Sequence, residues 1–141
     1  MASIFTKIAK GEIPSYKVAE NDQFYAFLDI NPLSRGHALV IPKVEIDYIY
    51  DLEDDLLKDL HLFAKRVAKA IEKVISCKRI GVVIYGLDVP HAHIHLIPLI
   101  DGGEIDFKRE RVKLNSEEFT EIAASINKEF TSWIEHRTSD I

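Results

Sequence analysis

The chain has 141 residues, of which 47% are hydrophobic and 29% charged, and this ordinary globular balance excludes a largely disordered protein. The net charge of −5 argues against broad binding to a nucleic-acid backbone, which requires a basic surface. One cysteine excludes an internal disulfide and a cysteine-rich zinc site, and no stretch approaches the ~20 apolar residues of a membrane span. Because the N-terminus also lacks the apolar run of a signal peptide, we expect a single cytoplasmic domain over residues 1–141, with neither a nucleic-acid nor a membrane partner.

The first elements in chain order are short. Ser3 is suited to cap a brief helix that ends before Gly11. Residues 17–20 and 24–28 flank the turn-forming pair Asn21-Asp22, a pattern typical of a β-hairpin. An apolar run over residues 37–41, ended by Pro42, predicts a buried strand.

The second half of the chain begins with its longest periodic segment. Apolar residues at helical spacing predict a helix over residues 52–75, and the β-branched run at 80–84 predicts a buried strand. A further strand is predicted over 91–98, and Asn115 or Ser116 can cap a last helix. This order of elements favours an α+β domain with a mostly antiparallel sheet.

The most informative segment contains His91, His93 and His95, half of the six histidines in the chain. Side chains alternate between the two faces of a strand, so these three imidazoles would share one face while Ala92 and Ile94 pack into the core. In a helix they would scatter around the axis and could not converge. Three alternating histidines are therefore better explained by a functional site than by a polar sheet surface.

Two kinds of chemistry fit this arrangement of imidazoles. Neutral imidazole is a common metal ligand, although zinc or iron would need one or two further groups. Imidazole is also a nucleophile at neutral pH, because its unperturbed pKa is ~6.5, and it can attack phosphorus to form a covalent intermediate. Neighbouring histidines could then fix its tautomer and donate hydrogen bonds to phosphate oxygens.

The sequence resembles the histidine triad (HIT) family of nucleotide hydrolases and transferases, whose signature alternates three histidines with apolar residues. Residues 91–97 satisfy that signature at every position, and the segments 4–14, 27–32 and 36–43 resemble other parts of the family in the same order. The resemblance implies a sheet of about five antiparallel strands with flanking helices, and a homodimer in which the sheet continues across the interface. It covers roughly residues 3–100, so the segment after about 100 is expected to be a family-variable extension.

The resemblance also implies roles for individual residues. It makes His93 the nucleophile, with His91 and His95 supporting it and His37 joining from the adjoining strand. Asp29 would accept hydrogen bonds from the ribose hydroxyls. The residues implied as apolar walls for the base are Phe27 and Ile30.

The chain departs from the family pattern just before the triad. The family usually has Gly-Gln-Ser/Thr-Val there, whereas this chain has Gly86-Leu87-Asp88-Val89. Asp88 places a carboxylate where a hydroxyl commonly meets the phosphate or leaving group, which is unfavourable unless Asp88 is protonated, turned away or selects an amine. Glu45 stands where the family often has a histidine. The basic stretch 108–113 is expected to be a solvated strand face or loop.

The resemblance implies hydrolysis of a nucleoside 5′-phosphoramidate or related nucleotidyl compound, with a purine nucleotide-type substrate and no metal or other cofactor. A dinucleoside polyphosphate hydrolase is the nearest alternative. Two alternatives from other classes are a non-enzymatic nucleotide-binding module and a metal-binding protein.

Overall fold

Five antiparallel strands form the single sheet of the computed structural model, which describes residues 2–139 and their side chains through residue 134. The strands are β1 (Lys17–Glu20), β2 (Phe24–Leu28), β3 (Ala38–Pro42), β4 (Arg79–Val83) and β5 (Ile94–Leu99). Their order across the sheet is β1-β2-β3-β5-β4, so β5 lies between β3 and β4. The predicted hairpin and the predicted antiparallel α+β architecture are both confirmed.

Three α-helices surround the sheet: α1 (Ile4–Ala9), α2 (Asp54–Val74) and α3 (Ser116–Ser139). The Ser3 hydroxyl caps α1 by accepting from the Thr6 amide. Asn115 caps α3, since its side chain accepts from the Glu118 amide while the Glu118 carboxylate accepts from the Asn115 amide. Both predicted caps are therefore present.

The alternation of side chains along the strands separates two cores. Ala26, Val40 and Ile94 face α2 and α3, where they join Leu60, Phe63, Val67, Ile71 and Ile126 in the main core. Tyr25, Phe27, Leu39 and Ile41 face the other way and pack against Phe5 and Ile8 of α1. Because Phe27 pairs with Leu39 and Leu39 pairs with His95, the second face carries a row of side chains that ends at the triad.

Two predicted strands differ from the observed ones. The run 80–84 was expected to be buried, but β4 is the edge of the sheet and Val82 is 57% exposed. The predicted strand 91–98 begins only at Ile94, because residues 91–93 follow a turn and the Ala92 amide donates to the Ile46 carbonyl instead of entering the sheet ladder. Only His95 of the three histidines therefore lies on a regular strand.

A glycine fixes the approach to β3. Gly36 has φ +91°, and a Cβ at this position would lie 2.7 Å from Cγ1 of Ile75, at the end of α2. Both the backbone conformation and the close packing therefore require glycine immediately before His37. Among the described residues, no helix is long and apolar enough to cross a membrane.

Candidate active site

His93 has its tautomer fixed by the backbone. Its Nδ1 lies 2.8 Å from the His91 carbonyl oxygen, and because a carbonyl can only accept, Nδ1 carries the proton. In the neutral ring, the other nitrogen, Nε2, is consequently unprotonated and has a free lone pair. The His93 ring contacts Phe5 edge-on at 5.1 Å and His95 at 5.0 Å between ring centroids, which hold it in place.

A second chain of hydrogen bonds fixes His37 and His95. The Leu33 amide donates to Nδ1 of His37 over 3.0 Å, so the proton of His37 is on Nε2. His37 Nε2 lies 3.0 Å from Nδ1 of His95 and donates to it, which places the proton of His95 on its own Nε2. That atom is buried and has no hydrogen-bond partner among the described residues. A buried donor without a partner is costly, so it is available to a ligand.

Burial keeps these supporting imidazoles neutral. It lowers the pKa of His37 to about 3 and that of His95 to about 4, because the charged ring would lose its hydration. Burial also lowers the pKa of His91. At neutral pH the three rings therefore act as hydrogen-bonding dipoles and add no positive charge to the site.

The geometry around Asp29, His37 and His95 suits hydrogen bonding better than metal binding, although one ligand atom from each lies within 4.8 Å of the others. Two nitrogens on one tetrahedral zinc stand about 3.3 Å apart, each with its lone pair toward the metal. Here the His37 and His95 nitrogens are 3.0 Å apart, and the His37 nitrogen uses its proton to reach His95. A metal would have to displace that proton and reorient both rings.

A cavity of about 290 Å³ opens beside His93 and His95. The sequence-predicted residues Phe27, Asp29, Ile30 and Asp88 all line it, together with Phe5 and Ile8 of α1. His37 and His91 do not line it and stand behind the other two histidines. The structure therefore gathers the predicted residues around one cavity, with two of the four histidines as its supports.

Asp29 lies at the polar end of the cavity. Its Oδ1 accepts from the Asn31 amide over 2.8 Å, which fixes the turn before Pro32, while Oδ2 stands 3.7 Å from Nε2 of His37. Burial raises the pKa of this carboxyl from its ordinary value. Phe27 is buried against Phe5, whereas Ile30 is 66% exposed at the rim, so the two predicted walls differ in burial.

Asp88 is engaged by a residue that the sequence did not single out for a role. The Tyr85 hydroxyl donates a hydrogen bond to the Asp88 carboxylate. The Tyr85 ring also lies parallel to that of His95, with centroids 5.6 Å apart. Partial burial and the neighbouring carboxylate raise the pKa of Tyr85 to about 12, so it remains a donor. The carboxylate that replaces a hydroxyl in the family pattern is thus held beside His95 by a phenol.

The N-terminal helix contributes a further support that the sequence did not reveal. Nε2 of His91 donates to the Pro42 carbonyl over 2.7 Å, so its Nδ1 accepts from the Ser3 hydroxyl over 2.8 Å. Glu45 accepts from the Thr6 hydroxyl over 2.7 Å and from the Ser3 amide. These hydrogen bonds lower the pKa of Glu45 to about 2. Glu45 therefore fastens α1 to the loop after β3, whose Ile46 carbonyl accepts from the Ala92 amide.

Comparison with known proteins agrees with this geometry. A family model described as the HIT domain matches residues 10–101, about two thirds of the chain. The chain belongs to the HIT family. An adenosine 5′-monophosphoramidase from Saccharomyces cerevisiae is 45% identical over 101 residues, which span 71% of this chain and 64% of the yeast protein.

Solved HIT structures share the fold. A Hit-like protein from Bartonella henselae, described as involved in cell-cycle regulation, superposes with a TM-score of 0.78 at 31% identity and covers 90% of this chain and 95% of its own. A zinc-bound histidine triad family protein from Mycobacterium smegmatis has a TM-score of 0.82 and covers 96% of this chain and 98% of its own. At 23% identity the second likeness establishes the fold alone.

Proposed function

We propose that this HIT protein is a nucleotide hydrolase that cleaves nucleoside 5′-phosphoramidates through a covalent nucleotidyl-His93 intermediate. One observation carries the proposal: His93 donates its Nδ1 proton to the His91 carbonyl, which leaves Nε2 as a nucleophile in a ring that lines the cavity. His95, in the same cavity, has a buried Nε2 proton without a partner. A nucleophile beside an unused donor is the arrangement that attack on a phosphoryl group requires.

In the first step, the lone pair of His93 Nε2 attacks phosphorus and forms a P–N bond. The bond between phosphorus and the leaving amine breaks, and the amine departs with a proton taken from a water molecule, whose hydroxide is left for the second step. The His95 Nε2 proton donates to a phosphoryl oxygen, where negative charge increases. The His93 ring becomes cationic when it is bonded to phosphorus, and its Nδ1–H donor to the His91 carbonyl is strengthened by that charge.

In the second step, the hydroxide left by that water attacks phosphorus and the P–N bond to His93 breaks. The ring recovers its lone pair, and the nucleoside monophosphate leaves. Overall one water is consumed, with one hydrogen delivered to the amine and the hydroxyl to phosphorus. No step changes the protonation of His37, whose role is to hold the tautomer of His95.

The nucleoside would occupy the apolar part of the cavity. Phe27 and Ile30 offer apolar surfaces to a purine base, and Asp29 offers two carboxylate oxygens to the two ribose hydroxyls. Binding of those hydroxyls would compensate the partial desolvation that raises the Asp29 pKa. The match to the yeast adenosine 5′-monophosphoramidase supports an adenosine nucleotide as the substrate.

The surroundings of His93 favour an amine over a polyphosphate as the leaving group. A second cavity of about 330 Å³ also reaches His93 and is lined by Tyr48, Tyr50, Tyr85, Leu87 and Asp47. Among the residues that the structure describes, no lysine or arginine lines either cavity. Each cavity has a carboxylate in its wall: Asp88 in the first and Asp47 in the second. A departing polyphosphate would face repulsion there, whereas an amine would not. The dinucleoside polyphosphate alternative is therefore disfavoured.

The assembly we propose is a homodimer in which β4 pairs with β4 of a second copy. β4 is an edge strand whose outer backbone groups are open to pairing, and its Val82 side chain is exposed. We further propose that the chain acts in the cytoplasm as one domain. Sedimentation equilibrium tests the dimer: the expected mass is twice that of one chain, and a proline in place of Val82 should shift it toward the monomer.

Intact-mass spectrometry during turnover of a fluorogenic adenosine phosphoramidate tests the proposed reaction. We expect amine release by the wild type, a nucleotidyl adduct on rapid quenching, and neither in His93→Ala. His61→Ala, on the exposed face of α2, is the matched control and should retain turnover. Equal turnover by wild type and His93→Ala would refute the nucleophile. AMP binding without any turnover would indicate a binding module, and loss of turnover on chelation would indicate a metal enzyme.

A further inference from the structure

The segment between β5 and α3 crosses the candidate active site. This segment, residues 100–115, is called the connector here, and nearly all of it lies beyond the part of the chain that the HIT family model matches. Its start is rigid, because the buried Glu104 accepts from the amides of Ile100 and Gly102 over 3.0 and 2.9 Å. The connector was expected to be a family-variable extension with a solvated basic stretch, and its Phe107 packs on His95.

Phe107 of the connector contacts His95 directly. Its ring meets that of His95 edge-on with centroids 5.0 Å apart, and it meets Tyr85 at the same separation. The His95 ring is therefore enclosed by Tyr85 on one face and by Phe107 at an edge-on contact. A ring held this way keeps the direction of its unpartnered Nε2 proton.

Arg111 holds Phe107 in this position. Its Nη2 donates to the Phe107 carbonyl over 3.0 Å, and its guanidinium lies 5.7 Å from the centroid of the Phe107 ring. The second nitrogen, Nη1, donates to the Asn31 carbonyl over 2.9 Å. One guanidinium thus joins the connector to the turn at Asn31 by two charge-assisted hydrogen bonds.

That turn is the one that presents Asp29. The Asn31 amide donates to Oδ1 of Asp29, and the Val112 amide of the connector donates to the Pro32 carbonyl over 2.9 Å. Arg111 therefore connects through Asn31 to the carboxylate proposed to bind ribose, and through Phe107 to His95. Burial raises the pKa of Asp29, and the positive charge of Arg111 partly offsets this rise; burial lowers the pKa of His95, and the same charge adds to that lowering.

We infer that Arg111 is a positioning residue for the nucleotide, which sets the Asp29 turn and the His95 ring in a single relative placement. The inference rests on the proposed function for its catalytic part, while its binding part needs only that AMP occupies the cavity. Among the basic residues of the connector, we assign this role to Arg111 because of its burial. Arg111 is half-buried and bridges two carbonyls, whereas Arg109 in the same connector is exposed.

The test compares Arg111→Met with the matched control Arg109→Met, using calorimetric titration with AMP and steady-state kinetics with an adenosine phosphoramidate. We expect Arg111→Met to raise the Kd for AMP about tenfold, the usual effect of losing hydrogen bonds to a charged group. It should also lower kcat through His95, whereas Arg109→Met should change both quantities less than twofold. Arg111→Lys keeps the charge but cannot bridge both carbonyls, so it should resemble Arg111→Met.

A double-mutant cycle separates positioning from general destabilisation. In an Asp29→Asn background, Arg111→Met should weaken AMP binding by clearly less than tenfold, because the group that it positions has already changed. Equal Kd values for Arg111→Met and Arg109→Met, or fully additive effects with Asp29→Asn, would overturn the inference. Because these readouts use binding, they decide it even if the wild type shows no turnover, a result that would refute the proposed hydrolase instead.

Discussion

The buried pair His37 and His95 should make the stability of the protein fall as the pH is lowered below neutrality. Each ring has a folded-state pKa below the ordinary value of 6.5, about 3 for His37 and about 4 for His95. As the pH falls through 6.5, these two imidazoles become protonated in the unfolded chain but stay neutral in the folded chain. Their contribution to the free energy of unfolding is therefore fully present above pH 6.5. It is lost as the pH falls toward the folded-state pKa values, and below those values no more of it is lost.

The magnitude follows from those values. Between pH 7 and pH 5, linkage gives a loss of ~2 kcal/mol for His95 and of ~2 kcal/mol for His37 in the free energy of unfolding. In the variant His95→Asn, which retains an acceptor for the His37 proton, only the His37 contribution remains. Between pH 7 and pH 5, the free energy of unfolding that this variant loses through His37 should therefore be about half of what the wild type loses through His37 and His95 together.

Urea unfolding followed by circular dichroism at both pH values measures this difference. His61→Asn, which removes an exposed imidazole from α2, is the control and should keep the dependence of the wild type. If His95→Asn and the wild type lose the same free energy between pH 7 and pH 5, then His95 is not held neutral by burial. The tautomer assignment that gives His95 its free Nε2 proton would then be wrong.

Three further predictions concern the scaffold and the nucleotide. Gly36→Ala should lower the free energy of unfolding by about 1–3 kcal/mol, because of its positive φ and its contact with Ile75, and an unchanged urea midpoint would contradict this. Phe63→Ala should cost about 3–5 kcal/mol, because the ring is 2% exposed in the main core, and thermal unfolding measures it against the exposed control Leu62→Ala. Asp29→Asn should weaken the binding of AMP more than the binding of inorganic phosphate, which has no ribose. A titration that shows equal effects on the two ligands would exclude ribose recognition.

The fold was largely predictable because its signals are local. Alternation along strands, helical periodicity over α2 and the caps at Ser3 and Asn115 each depend on residues that are close in sequence. The exposure of β4 could not be predicted in this way, since a β-branched run does not reveal whether a second strand covers its outer edge. The start of β5 at Ile94 depends on a hydrogen bond from Ala92 to Ile46, which no local pattern encodes.

The candidate site was predictable where the triad signature and its flanking segments name the residues. The supports were not, because they come from distant parts of the chain. Ser3 contacts His91 across 88 residues, and Arg111 contacts Asn31 across 80. Tyr85 and Phe107 belong to no sequence motif used in the prediction, and only the folded chain shows that they enclose His95.

Main-chain atoms set the protons of three of the four histidines: the Leu33 amide for His37, the His91 carbonyl for His93 and the Pro42 carbonyl for His91. Many catalytic imidazoles are oriented by a buried carboxylate, which introduces an ionic charge. Here peptide dipoles, and for His95 the neutral His37 ring, orient the imidazoles, so these hydrogen bonds contain no ion pair that added salt could weaken. The consequence is that the alignment of these rings should be indifferent to ionic strength, whereas a replacement at position 91 would remove the hydrogen bonds that its imidazole makes with the Pro42 carbonyl and the Ser3 hydroxyl.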